Sequence, residues 1–220
     1  MAFIPADESP WFIKCFRIYT WLLFKRRFSN VWLIQDYHPE RTSRTIYYLN
    51  HHSWWDGLIP FLLNEFRFHQ QARAMMEDKQ MQRYPFFRKI GAFSISREDP
   101  KSSIRSLRYA VKSLLRPSAS LYIYPEGKIT PPGSNLIFKN GLSWLGKQVS
   151  DIDIVPIGIY MHTIRSDKPE LHLSVGSPVP VEPKLSNEER SRLFEQKLEA
   201  ILSDLQQTAG FDDAGFERFI

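Results

Sequence analysis

The chain is poor in cysteine, in clustered metal ligands and in apolar runs long enough to cross a bilayer. Its 220 residues hold one cysteine, Cys15, which excludes an intrachain disulfide and any cysteine-based metal cluster. A reducing compartment fits that usage. The six histidines are scattered apart from His51-His52; no zinc-type spacing joins them, so no metal is expected. The apolar stretch Trp11 to Phe24 is shorter than the roughly 20 residues a spanning helix needs, and Lys14 and Arg17 interrupt it. A secretory leader is not expected either. Pro5, Asp7 and Glu8 stand where a basic n-region would be, and no small-residue cleavage site follows. Internal repeats, low-complexity tracts and an obvious linker are also missing.

What is present describes a folded protein. Hydrophobic residues make up 43% and charged residues 24%, a balance that supports a packed core rather than disorder. The length suits one well-buried α/β domain with a terminal extension. Lys and Arg number 29 against 24 Asp and Glu, a net charge of +5 that favours anionic partners: nucleic acid, an anionic membrane or a phosphorylated substrate. No nucleic-acid reading motif or concentrated basic stripe accompanies the charge, so nucleic acid is not an expected partner.

The amino terminus reads as an amphipathic helix. Ser9 is a good N-cap and Pro10 fits the first helical position. Trp11 to Phe24 presents a broad apolar face with Lys14, Arg17 and Thr20 along a narrow polar strip. Lys25-Arg26-Arg27 suits the negative end of the helix. Two placements are compatible with this pattern: a helix lying in the membrane interface, with cations at the headgroups, or one packed on the protein's own core. Residues 1–40 are therefore expected to be an amphipathic helical segment contacting the membrane, and 41–220 the globular domain. Val31 to Ile34 is either a strand or a second membrane-contacting element.

Beyond it, strand and helix patterns alternate. Thr45 to Leu49, Ala72 to Met76, Gly91 to Arg97, Ser120 to Tyr124, Ile154 to Tyr160 and Leu171 to Val175 read as strands. Gly57 to Phe68, Lys101 to Leu115, Lys139 to Gln148 and Asn187 to Gln207 read as helices, the last capped by Ser186. Such alternation implies a central mixed, largely parallel sheet covered by helices, in a single α/β domain.

Four strand-end segments carry candidate chemistry. After Thr45–Leu49 comes Asn50-His51-His52-Ser53-Trp54-Trp55-Asp56-Gly57. A neutral imidazole takes a proton near neutral pH, and a carboxylate on its other nitrogen fixes the tautomer; His51 and Asp56 can form such a dyad. The same residues suit a capping box, Ser53 as N-cap and Asp56 at the third helical position. The two readings are compatible, and His52 is read as a local hydrogen-bonding group. Tyr124-Pro125-Glu126-Gly127-Lys128 follows another strand; it is either a functional loop at the carboxyl end of the sheet, where open α/β sheets bind ligands, or a solvent-exposed turn. Arg97 can grip a phosphate bidentately or pair with Glu98 or Asp99. Val155-Pro156-Ile157-Gly158 is either a substrate-lining strand or an edge strand broken by its proline.

In this order the segments resemble the four blocks of the glycerolipid acyltransferase family, the PlsC-type lysophosphatidate (1-acylglycerol-3-phosphate) acyltransferases. Asn50 to Asp56 fits the family's Asn-His-x-Ser-x-x-Asp block at every specified position. Gly91 to Arg97, Tyr124 to Gly127 and Val155 to Gly158 resemble the other three, and Phe138-Lys139-Asn140-Gly141 resembles the Phe-Lys-x-Gly that commonly follows the third. The likeness spans about residues 45 to 180. It implies transfer of a fatty acyl chain from an acyl-CoA or acyl-carrier-protein thioester to a lipid hydroxyl, without a cofactor or a covalent enzyme intermediate. His51 would be the general base and Asp56 its orienting partner. Arg97, Glu126, Gly127 and Lys128 would bind substrate, with backbone donors near Gly127 stabilising the oxyanion. The enzyme would work in the cytoplasm, peripherally on the membrane surface. One departure bears on the acceptor: the family usually carries Thr-Arg after Pro-Glu-Gly, and this chain has Lys128-Ile129. Lysophosphatidate is the family default; a non-phosphate acceptor, such as a glycolipid or carotenoid glycoside, is the alternative. A non-catalytic membrane- or lipid-binding protein of the same fold is the rival of another class.

Overall fold

The computed structural model describes residues 3–96 and 99–220. The strands are β1 (Val31–Gln35), β2 (Thr45–Leu49), β3 (Gln71–Glu77), β4 (Ala92–Ile95), β5 (Ala119–Ile123), β6 (Asp153–His162), β7 (Glu170–Val175) and β8 (Glu217–Arg218). The helices are α1 (Pro10–Arg27), α2 (Ile59–Leu63), α3 (Asp78–Arg83), α4 (Pro100–Leu114), α5 (Gly141–Gln148) and α6 (Asn187–Thr208). One mixed sheet runs β4-β3-β5-β2-β6-β7-β1-β8. Its β6–β7 and β1–β8 pairs are antiparallel and the others parallel, as the alternating pattern predicts.

Strand β2 explains where the site lies. All five of its residues are buried, as a central strand covered on both faces requires. Tyr47 and Leu49 face a core shared with α1 and α2. Ile46 and Tyr48 face the other, built with α4, α5 and α6. Tyr48 pairs with Ile123 of β5, and Leu49 with Ile157 of β6. The chain therefore leaves β2 and β5 at the same carboxyl edge, side by side, two residues before His51 and three before Glu126.

Helix α1 starts as its sequence predicts, Ser9 Oγ accepting from Phe12 N at 3.5 Å with Pro10 in the first turn. Phe16, Thr20 and Phe24 are buried against the core. Thr20 thus leaves the expected polar strip; its hydroxyl donates to the Phe16 carbonyl at 2.7 Å, which removes the penalty for burying it. Truncating Phe24 to alanine should cost about 3–5 kcal/mol. The opposite side stays apolar and exposed: Trp11 is 73% and Ile18 62% accessible, with Tyr19 and Leu22 beside them. Val31–Gln35, within residues 1–40, is a strand of the sheet, parallel to β7. No helix among the described residues is long and apolar enough to cross a membrane.

Two expectations change. Gly57 to Phe68 is not one helix: a 3-10 turn (Trp54–Leu58) leads into α2 and then a π turn (Asn64–Phe68). Pro60, lacking an N–H, sits in the first turn of α2, where no donor is needed. Val155 to Gly158 is neither an edge strand nor part of the cleft described below; β6 lies between β2 and β7. Pro156 is tolerated because β7 ends at Val175, opposite Ile157, so its missing N–H faces the point where that ladder stops. Its carbonyl accepts from Gly176 N at 3.0 Å. Gly158 keeps α6 close, since a Cβ there would lie 2.5 Å from Ile201 Cγ2.

Candidate active site

Asn50 directly follows β2, with a fully buried amide. Its Nδ2 donates to the Ile159 carbonyl at 2.9 Å and its Oδ1 accepts from Ile159 N at 2.8 Å. The side chain thereby prolongs the β2–β6 ladder and fixes where the next turn begins. In that turn His51 Nδ1 lies 3.2 Å from Asp56 Oδ2. The same oxygen accepts from His52 N at 2.7 Å and Ser53 N at 2.8 Å, and Oδ1 accepts from Ser53 Oγ at 2.6 Å. The dyad and the capping box are one arrangement: four donors hold a carboxylate that is only 1% exposed. A carboxylate accepts, so His51 Nδ1 carries the proton and Nε2 keeps its lone pair.

Tyr124 completes the seat of the imidazole. Its ring stacks on His51 at 4.4 Å between centroids, and its hydroxyl donates to the Asp56 carbonyl at 2.5 Å. Burial, followed by the charge of Asp56, pushes the phenol's pKa well up, so Tyr124 acts as a fixed donor and a wall.

His51, but not Asp56, lines a cleft of about 600 Å³ running over the carboxyl ends of β3 and β5. Its floor includes Met75, Met76, Ile123 and Leu107, and Gly127, Lys128 and Lys139 border it. An apolar trough beside cations suits an amphipathic ligand. Gly127 sits at φ +71°, a left-handed conformation that glycine adopts without penalty. Its N–H donates to the Tyr124 carbonyl at 3.0 Å, closing the turn; that donor is committed to the turn, not presented to an oxyanion. Glu126 is buried behind the cleft, with Oε1 accepting from Thr130 Oγ1 at 3.0 Å.

The structure thus brings His51, Asp56, Glu126, Gly127 and Lys128 to one edge of the sheet. Arg97 lies outside the described residues. Tyr124 belongs to the third family-like segment without a role of its own there, and Thr130 carries no signal in the sequence. Lys139 was legible only within the Phe-Lys-x-Gly likeness; its ammonium would lie 3.2 Å from a Cβ placed on Gly127. Among the described residues no three His, Cys, Asp or Glu side chains are grouped to hold a metal ion.

With this geometry in view, comparison with known proteins is specific. The acyltransferase family profile matches residues 32–160, more than half of the chain. The crystal structure of the 1-acyl-sn-glycerophosphate (LPA) acyltransferase PlsC from Thermotoga maritima superposes with a TM-score of 0.63. Sequence identity is 19%, over 89% of this chain and 81% of that one. No curated protein sequence gives a match. The chain belongs to the acyltransferase family and has the fold of its PlsC-type members.

Proposed function

We propose that the protein transfers a fatty acyl chain from an acyl-CoA or acyl-carrier-protein thioester to the hydroxyl of a lipid, with His51 as general base. The observation that carries this reading is a histidine pinned through Nδ1 by a buried carboxylate, on the wall of an amphipathic cleft. The acceptor hydroxyl gives its proton to His51 Nε2 while its oxygen attacks the thioester carbonyl carbon. Collapse of the tetrahedral intermediate expels the thiolate, which takes the proton from the imidazolium. Asp56 stabilises that cation. No covalent enzyme intermediate is required, so Ser53, committed to Asp56, has no nucleophilic task.

The acceptor we favour is lysophosphatidate. Lys128 and Lys139 at the cleft can meet a phosphate as point charges, and Arg97 remains a candidate third cation. One observation supports a non-phosphate acceptor: Ile129, exposed and lining the cleft, occupies the second position after Gly127, where the family usually carries its arginine. We also place the enzyme peripherally on the membrane, docked by the exposed face of α1. Trp11, Ile18 and Leu22 would enter the interface, with Lys14 and Arg26 at the headgroups.

The test is thiol release from labelled acyl-CoA and acyl-carrier protein against a panel of lipid acceptors. Turnover that vanishes in His51→Ala supports the reading; no turnover with any lipid sinks it in favour of a binding protein. Serine at Trp11, Ile18 and Leu22 should release the protein from anionic vesicles, and undiminished co-sedimentation would contradict the docking face.

A further inference from the structure

The loop after β5 runs from Tyr124 to the start of α5 at Gly141 without regular structure. Ile129, Gly133 and Ile137 along it are exposed. Among the described residues, every hydrogen bond that ties residues 128–137 to the rest of the chain is made by Thr130. Thr130 is buried and engages its neighbours with three groups, two of them on the histidine turn. Its N–H donates to the His51 carbonyl at 2.9 Å. Its carbonyl lies 2.9 Å from His52 Nδ1, and since a carbonyl only accepts, His52 Nδ1 carries the proton. Its hydroxyl donates to Glu126 Oε1. The loop that brings Lys128 to the cleft is therefore fastened to the turn that carries His51.

We propose that His52 and Thr130 are positioning residues: a clamp that sets the distance between the base and the cationic, acceptor-holding side of the cleft. The kinetic part of this proposal rests on the acyl-transfer reading. His52 does not touch the reacting atoms in this arrangement. It acts through Thr130, and its effect is to keep Lys128 and Glu126 in register with His51. A misplacement of about 1 Å at a reacting centre is enough to lower turnover about 10²-fold, which gives so small a device its leverage.

Conservative variants separate the clamp from mere bulk. The amide nitrogen of Asn falls close to where His Nδ1 lies, so His52→Asn keeps a donor for Thr130, whereas His52→Leu removes it. Thr130→Ser keeps the hydroxyl for Glu126, whereas Thr130→Val removes it at nearly constant shape. H52L and T130V are each expected to lower kcat/KM about tenfold, the equivalent of one lost hydrogen bond, mainly as a raised KM for the acceptor. H52N and T130S should recover to within about threefold of wild type by the same arithmetic. Backbone amide exchange, which needs no substrate, should quicken over residues 125–131 in H52L and not in H52N. The clamp is overturned if H52L matches wild type in exchange and kinetics, or if H52N is as impaired as H52L. Wild-type inactivity toward every lipid would instead remove the acyl-transfer reading, while the exchange data still decide the clamp.

Discussion

Among the described residues, two histidine–aspartate pairs have the same length. His51 Nδ1 stands 3.2 Å from Asp56, and His172 Nε2 stands 3.2 Å from Asp213. Distance alone gives no reason to prefer either. The surroundings do. His51 keeps one nitrogen toward a cleft and is 20% exposed, whereas the His172 side chain is fully buried. His172 is stacked on His162 at 5.0 Å and edge-on against Phe216. Asp56 is held by backbone N–H groups of its own turn; Asp213 is held by Arg165, which also donates to Glu170 at 2.8 Å. Glu170 accepts from Asn30 and Trp32 as well. Burial alone would raise its pKa, but the bond from Arg165 and those from Asn30 and Trp32 outweigh it and hold it at about 2. The second pair is a fastening: it binds the carboxyl-terminal segment to the β6–β7 hairpin. A histidine–aspartate pair becomes a base only where its free nitrogen meets a space that a substrate can enter.

The comparison can be broken at either pair. The largest effect is expected for His51→Ala, a fall in kcat of about 10²–10⁴ with the thermal midpoint nearly unchanged. A variant that unfolds would show His51 to be structural. Asp56→Ala should lose comparable activity and also destabilise by on the order of 3 kcal/mol, because two backbone N–H groups and Ser53 lose their acceptor; denaturant titration separates the two losses. Gly127→Ala should destabilise by about 1–2 kcal/mol through its left-handed backbone and raise the acceptor KM by displacing Lys139 from the cleft edge.

The smallest effect belongs to the second pair and appears as a slope. Burial pushes His162 and His172 below the usual imidazole range; Asp213 and Glu170 oppose the shift, and Arg165 beside His162 adds to it. A depressed folded pKa means that the folded state binds fewer protons than the unfolded chain. Its contribution is therefore whole above the unfolded pKa of about 6.5 and is lost as pH falls through the lower folded value. The thermal midpoint should drop as the medium passes from neutral to mildly acidic. His172→Phe should flatten that drop and leave turnover at neutral pH unchanged. Undiminished pH dependence in H172F would assign the slope to other groups.

The sequence was legible where chemistry is local. His51, Ser53 and Asp56 lie within six residues, and their spacing already states both the dyad and the capping box. Short β-branched and aromatic runs were enough to place most strands, because buried parallel strands must be apolar throughout. The parts contributed by chain pairing were not legible. Tyr124 reaches Asp56, and Thr130 reaches His51, only because β2 and β5 are neighbours in the sheet, a fact no local pattern carries. Pro156 suggested an edge strand because the early end of β7 cannot be read from β6. Strand β8, two polar residues long, gives no periodic signal. The pattern of α1 suits core or membrane, whereas the helix has two apolar faces and buries one of them.

The most direct test sets the two pairs side by side. Initial rates of thiol release with the best acceptor should be compared for wild type, His51→Ala and His172→Phe, with folding checked by thermal melts. The account predicts that H51A is folded and nearly inactive while H172F works at the wild-type rate. Equal losses in the two variants, or a folded H51A that turns over normally, would contradict the assignment of His51 as the base.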